Sequence, residues 1–429
     1  MPFTACLAYV EVNYVVQSKM VLSIRGYLEH NQECKDAHIT WYPPQSVHPE
    51  VFKVALAQLK CGADITEVQE TNLCMAQAHT YPGKPSVGDF SKSAYHWILR
   101  AGDNRSLYCQ FNWMHGVCTT TAAHVNIDEW LSPDSPQYNR ALANAVFHYR
   151  AQTTCEERLK VCIATSEMRE AAWKYAHCSQ IILDGTFGVC NRKMLLFIVM
   201  GIDEEGRGIL LAFLLFSAPT KNKQTSARYD AEILTELLRE WKLAPRTKNG
   251  EAVTVHAAIT DTDLMEQNAL AAVFDNIWLL ICKFHLRQSF RNHCNRVLKG
   301  TSPFAHDLKA RMKRLETQVV QTKEHTAFLA FIEEEREVLA AFKHSLVGPE
   351  TLDGLALIYS AQEHLDYLQN YWGREALWQS WSDFGRCVAA VRLGCAVERV
   401  LPTTNHLESF NGVFKRKHLK RWQHNGKPL

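Results

Sequence analysis

The sequence predicts an α/β protein. A mixed β-sheet core is followed by an all-helical insertion and a late helix, and preceded by a small β-rich unit and a helical region. Three observations carry this. Between residues 180 and 302, short runs of Val, Ile, Leu and Phe alternate with amphipathic stretches, the pattern of strands and covering helices. From 303 to 395 the apolar period is helical throughout. One core strand, Ile181-Ile182-Leu183, runs straight into a carboxylate and a glycine, Asp184-Gly185, so its end offers an acid to whatever cleft the sheet edge forms.

At 429 residues the chain exceeds one ordinary core, and two or three domains are expected. A net charge of +2 excludes a bulk polycation, so nucleic-acid contact must come from local patches. The 14 cysteines are scattered, and the start has no basic segment followed by a long apolar one. No secretory signal is therefore expected, and a reducing compartment with free or metal-bound thiols follows. The longest apolar runs, such as Ile209–Phe216, are too short to cross a bilayer.

Residues 1–42 read as β-rich, with strands over Leu7–Val16 and Met20–Ile24. Cys6, His30 and Cys34 are three quarters of a zinc site, or else buried thiols and a surface histidine. Residues 43–138 open with Pro43-Pro44 and a helix from His48-Pro49-Glu50 that sets Val51, Val54, Ala55 and Leu59 on one face. After Gly62, Asp64 and Glu67 form a capping-box pair for a second helix. This is the outline of a helix-turn-helix and equally of any two packed helices. Residues 139–179 read as helical support, with Leu142, Val146 and Tyr149 on one face and Met168, Ala172 and Tyr175 on another.

In the core, residues 180–302, the strands are Ile181–Leu183, Met194–Ile202, Ile209–Ser217, Val253–Thr260 and Ile277–Cys282. Helices are expected over Ser226–Lys242, Leu264–Phe274 and His285–Leu298. The second and third strands form a hairpin around Asp203–Gly208. Strand, hairpin, helix, strand, helix, strand is the order of a ribonuclease H-like mixed sheet. There the first strand is central and the fourth pairs beside it, which sets Asp184 against Asp261. The segment 396–429 holds the late helix from Asn405, which carries Glu408 and ends in Lys415, Arg416, Lys417, Lys420 and Arg421.

Asp184, Asp261 and Glu408 make an oxygen-only ligand set, the kind that phosphodiester chemistry with two Mg²⁺ or Mn²⁺ ions requires. Asp263 rivals Asp261, but its place suits a helix cap better. Gly185, without a side chain, would leave the metal face open. Cys282-x2-His285 is half a zinc site that His406 or His418 could extend; the alternative is a buried thiol and a helix-start histidine.

Asp184-Gly185-Thr186-Phe187, Ile259-Thr260-Asp261, Cys282-Lys283-Phe284-His285 and Thr403-Thr404-Asn405-His406-Leu407-Glu408-Ser409-Phe410-Asn411 occur in that order. Together they make residues 140–425 resemble the transposases of Mutator-like elements (MULEs). The resemblance implies a DDE-type transposase that cleaves double-stranded DNA at terminal inverted repeats and transfers strands into target DNA. It assigns Asp184, Asp261 and Glu408 as the metal triad and Cys282/His285 as the family's C-x2-H signature. It also implies a nuclear, oligomeric protein with no membrane. By the same resemblance Trp372, Trp378 and Trp381 could stack on a distorted base, although tryptophans at helical spacing more often fill a core. The basic run from Lys415 would hold phosphates, or would simply end a solvated helix. The N-terminal unit resembles a FLYWCH- or WRKY-like zinc module only in part, and the downstream cysteine-rich module of many relatives is missing. A shortened or decayed form acting as a sequence-specific DNA-binding regulator is therefore the alternative function.

Overall fold

The computed structural model describes residues 9–15, 18, 20–27, 29, 31, 32, 47–81, 94–154, 157–186, 189, 194–217, 231–246, 250–346 and 351–419. Cys6, His30, Cys34, Lys420 and Arg421 lie outside the described residues. The chain divides into two compact units, Met1–His115 and Gly116–Leu429.

In the first unit β1 (Tyr9–Val15) and β2 (Met20–Tyr27) pair antiparallel. Helix α1 (Pro49–Lys60) starts at His48, whose ring accepts the Glu50 N–H, and buries Val51, Ala55 and Leu59. Helix α2 (Ile65–Gln77) has the expected capping box: Asp64 accepts from Thr66 and Glu67, and Glu67 accepts from the Asp64 amide. Both stretches are helical because their apolar residues recur every three to four positions and their ends are capped. Asn72 is buried in α2 and is fully used, donating to Tyr81 and the Trp97 carbonyl and accepting from Leu99 N.

The second unit is mixed α/β. Its seven-stranded sheet has the order β3-β4-β7-β6-β5-β8-β9, with β3 (Val146–Arg150), β4 (Lys160–Ile163), β5 (Ser179–Thr186), β6 (Met194–Ile202), β7 (Gly208–Ser217), β8 (Val255–Thr260) and β9 (Trp278–Ile281). Strand β5 pairs antiparallel with β6 and parallel with β8, so the first core strand lies inside the sheet with the fourth beside it. The hairpin turn between β6 and β7 is held by Asp203, which accepts from the Glu205 and Arg207 amides, and by Gly206 at φ 80°.

Two strands correct the expectation for residues 139–179. Helix ends at Ala145, and Val146 begins β3, which pairs with β4 at the sheet's edge. The spacing of Leu142, Val146 and Tyr149 mimics a helical face across this junction. Val146, Tyr149, Val161 and Cys162 are residues that pack well on a pleated surface, and the sheet supplies that surface.

One face of the sheet, with Leu183, Phe197, Val199 and Leu214, packs under helices α3 (Ala231–Leu243) and α4 (Leu264–Val273). The other face, with Ile182, Ile198 and Met200, meets Leu407 of the late helix α5 (Asn405–Val413). Helix α6 (Lys283–Val297) leaves β9 and enters the helical insertion. The insertion consists of α7 (Pro303–Val320), α8 (His325–Ser345), α9 (Thr351–Tyr367), α10 (Glu375–Trp381) and α11 (Asp383–Leu393). Its core is a single apolar cluster around Phe290, Leu308, Phe328, Leu365 and Trp381.

Candidate active site

Strand β5 is buried along almost its whole length, which is why Ile181, Ile182 and Leu183 are all apolar rather than alternating. Its register with β8 pairs Ile182 with Ile259, so two residues further along Asp184 comes level with Asp261. Asp184 is 9% exposed, a carboxylate embedded in a sheet. Strand β8 ends at Thr260, and Asp261 starts the turn by accepting the Asp263 amide at 2.6 Å. Asp263 in turn caps α4, accepting the Met265 amide at 2.9 Å. The two acids thus divide the work: one ends the strand and the other starts the helix.

The first turn of α4 brings in a residue that sequence reasoning missed. Glu266 is 2% exposed, and its carboxylate joins Asp184 and Asp261 with ligand atoms within 4.8 Å of one another. Its Oε2 has no hydrogen-bond partner. A glutamate three residues past a capping aspartate reads as helix-start chemistry, and that habit hides it. The signal was an acid five positions beyond a strand-end aspartate, in a turn that must fold back over the strand end.

Three acids in one buried place repel. Burial first, and Asp261 second, push Asp184 up to about 7. Asp261 is raised, chiefly by burial. Glu266 is held well above the usual carboxylate range by burial and by Asp261 and Asp184. An orphaned buried carboxylate oxygen facing two further acids is an arrangement that a divalent cation would satisfy, and an oxygen-only set suits Mg²⁺ or Mn²⁺. The residues therefore fit the metal that the resemblance implies.

Glu408 is not in that close group. It arrives on α5, where Thr404 Oγ1 donates to it at 3.3 Å and His285 Nε2 stands 3.4 Å away. His285 belongs to the first turn of α6 and links Glu408 to the acids. Its Nδ1 is buried without a hydrogen bond of regular geometry, and the Cys282 thiol beside the ring is the main cause that pushes the imidazole up to about 9. Glu408 and Asp184 add to the same effect. His285 is thus a cation at neutral pH, set among acids. Burial would raise the Cys282 thiol, but its interactions with His285 and Thr404 outweigh that and leave it lowered. The Thr404 amide and hydroxyl lie 3.4 and 3.5 Å from the sulfur. Cys282 therefore ties the start of α6 to the start of α5.

His406 and His418 do not complete a zinc set with Cys282 and His285 among the described residues. His406 packs against Gly208, and His418 lies near the Phe414 ring.

Gly185 has a different role from the one expected. A Cβ there would lie 3.0 Å from two ring atoms of Phe197, its cross-strand partner. Side chains alternate along a strand, so Gly185 faces the apolar layer while Asp184 faces the acid centre. Trp372 and Trp378 are also corrected. They are 3% and 2% exposed in the insertion core, where the Trp378 indole donates to Thr322 and the Trp381 indole to the Trp372 carbonyl. Their faces are covered by protein, leaving none for a base. In the basic run, half-buried Lys415 is close enough to Asp184 to feel its charge, while Arg416 and Lys417 are exposed.

No helix among the described residues is long and apolar enough to cross a membrane. No curated protein matches the chain. Residues 180–289 match the family model of the MULE transposase domain, a span that includes Asp184, Asp261, Glu266, Cys282 and His285 and stops short of Glu408. A transposase domain implies DNA as a partner. Asp184, Asp261 and Glu266 therefore all lie in the stretch that is similar to a MULE transposase domain.

Proposed function

We propose that the chain is a DDE-type transposase on a ribonuclease H-like core, which cuts DNA at terminal inverted repeats and transfers the freed 3′-OH to target DNA. The observation that carries this reading is the meeting of Asp184 in β5, Asp261 just past β8 and Glu266 in the first turn of α4 within 4.8 Å, with one carboxylate oxygen unpartnered in the interior. Asp184 and Asp261, with Glu266 behind them, would hold Mg²⁺ or Mn²⁺. Bound there, the metal would supply the Lewis acidity that makes water or a 3′-OH nucleophilic and that stabilises the leaving oxygen.

The chain's own groups do the rest. Protonated His285 fixes Glu408 beside the acids and carries a proton at Nε2 on the side of that carboxylate. Lys415 sets a cation near Asp184, where an incoming phosphate needs one. The exposed Arg416 and Lys417 continue that positive surface. DNA action of this kind suits a nuclear protein.

The test is nicking of inverted-repeat DNA by the purified chain with Mg²⁺ or Mn²⁺. The reading expects metal-dependent nicks that Asp184→Asn and Asp261→Asn remove. Specific DNA binding with no nick under either metal would overturn it in favour of a regulator.

A further inference from the structure

We propose that the helical insertion holds a zinc ion between Cys294, Glu316 and His364, at a site separate from the acid centre. The three side chains come from three helices: α6, α7 and α9. The Cys294 sulfur, a Glu316 oxygen and a His364 ring nitrogen lie within 4.8 Å of one another. They are 6%, 7% and 0% exposed, inside a core otherwise built from residues such as Phe290, Leu308 and Leu365. Such a core has no need of a thiol, a carboxylate and an imidazole converging on one point. One sulfur, one nitrogen and one oxygen are the donors that zinc takes, while magnesium and calcium take oxygen.

The geometry is close to that of a loaded site. Tetrahedral zinc with ordinary bond lengths sets its ligand atoms about 3.4–3.6 Å apart. His364 Nε2 and Glu316 Oε1 already stand at 3.1 Å. The outer ring of contacts is present too. His364 Nδ1 lies 3.1 Å from Nδ1 of His293, whose ring stacks on Tyr367 at 3.8 Å. A ligating histidine is oriented by a hydrogen bond at its other nitrogen, so this contact fixes Nε2 toward the metal. A cavity of about 450 Å³ reaches Cys294 and Glu316 and gives room for water as the fourth ligand. Its remaining wall carries Arg287, Arg291, Lys309 and Lys313. A thiolate and a carboxylate neutralise the ion, so loading it sets no net positive charge against those residues. Zinc here would tie three helices together and fix the shape of the insertion.

The experiment uses the full chain. Zinc is measured after exhaustive dialysis against metal-free buffer, then exchanged for Co²⁺, and the absorbance is read. The expected result is a thiolate-to-cobalt charge-transfer band with tetrahedral visible bands in the wild type. Cys294→Ser should lose the contribution of one thiolate and one equivalent of zinc, while the exposed Cys74, changed as Cys74→Ser, leaves both in place. Glu316→Gln, the mildest change, should weaken Co²⁺ binding by tenfold or more. A wild-type chain that takes up no Co²⁺ with thiolate character overturns the proposal even if the variants fail to fold. Full metal content and an unchanged band in Cys294→Ser overturn it as well.

Discussion

Glu266 and Glu316 are both buried glutamates, and their surroundings are opposite. Glu266 stands among Asp184, Asp261 and Asp263 with one oxygen unpartnered. Glu316 faces the His364 imidazole at 3.1 Å with a thiol beside it. The first place gathers acids of one sign, has His285 and Lys415 as the cations beside them, and still leaves a Glu266 oxygen unpartnered. The second spreads sulfur, nitrogen and oxygen over three helices. Charge that is left unsatisfied can bind hard cations and change with the reaction, whereas mixed donors sunk in a helical core serve to hold that core. Two buried glutamates therefore sit in regions built for different ends.

The largest effect expected on this comparison is catalytic. Asp184→Asn and Asp261→Asn should each lower metal-dependent nicking by on the order of 10⁴-fold, since residues acting as a unit fail together. Circular dichroism should show both variants folded. Nicking that survives in either would mean that the acid centre is only a strained packing defect.

The next effect tests the insertion as a core. Trp378 is buried and its indole donates to Thr322 Oγ1 at 3.0 Å. Trp378→Ala should destabilise the second unit by about 3–5 kcal/mol in denaturant titration. DNA affinity of the folded fraction should not change. A stable variant with weakened DNA binding would return the indole to the base-stacking role that its burial speaks against.

How far the sequence reveals these regions depends on what kind of contact makes them. The core strands, the all-helical insertion and the pairing of β5 beside β8 are legible because apolar period and element order are local properties. Asp184 and Asp261 are legible because each ends an apolar run. The edge strands β3 and β4 are not, since Val146 serves equally as the end of a helical face and the start of a strand until β7 is there to pair with β4. Glu266 is hidden because its sequence neighbours explain it as helix-start chemistry, and only the turn that folds it over Asp184 gives it a second use. Cys294, Glu316 and His364 are spread over 71 residues and three helices, so no spacing rule joins them. The side of the strand on which Gly185 lies follows from alternation, but its neighbour Phe197 is known only from register.

Glu266→Gln sharpens the comparison at the acid centre. The amide keeps the shape and removes the charge. Mg²⁺ or Mn²⁺ affinity should fall roughly 10–100-fold, the usual cost of losing a group that supports a metal site. Isothermal titration calorimetry reads this directly. Unchanged affinity would reduce Glu266 to a buried acid with no part in the site, and the contrast with Glu316 would disappear.

The smallest and most diagnostic effect is the pH dependence of metal binding. Asp184 is raised from 3.8 to about 7, chiefly by burial and then by Asp261. A group whose folded pKa lies above its unfolded value adds stability that is fully present below about 4 and is lost as pH rises through about 7. The metal-free second unit should therefore melt at a lower temperature at pH 8 than at pH 5. Metal binds the ionised carboxylate, so its affinity should move the other way and fall about tenfold between pH 8 and pH 6 as one proton must be displaced. Glu266, also held well above the usual carboxylate range by burial and by its acid neighbours, would make the fall steeper. Added Mg²⁺ should then raise the melting temperature more at pH 8 than at pH 6, and Asp184→Asn should flatten the dependence. A metal affinity that is flat from pH 6 to 8 in the wild type would show Asp184 to be ionised already, with its charge neutralised inside the protein.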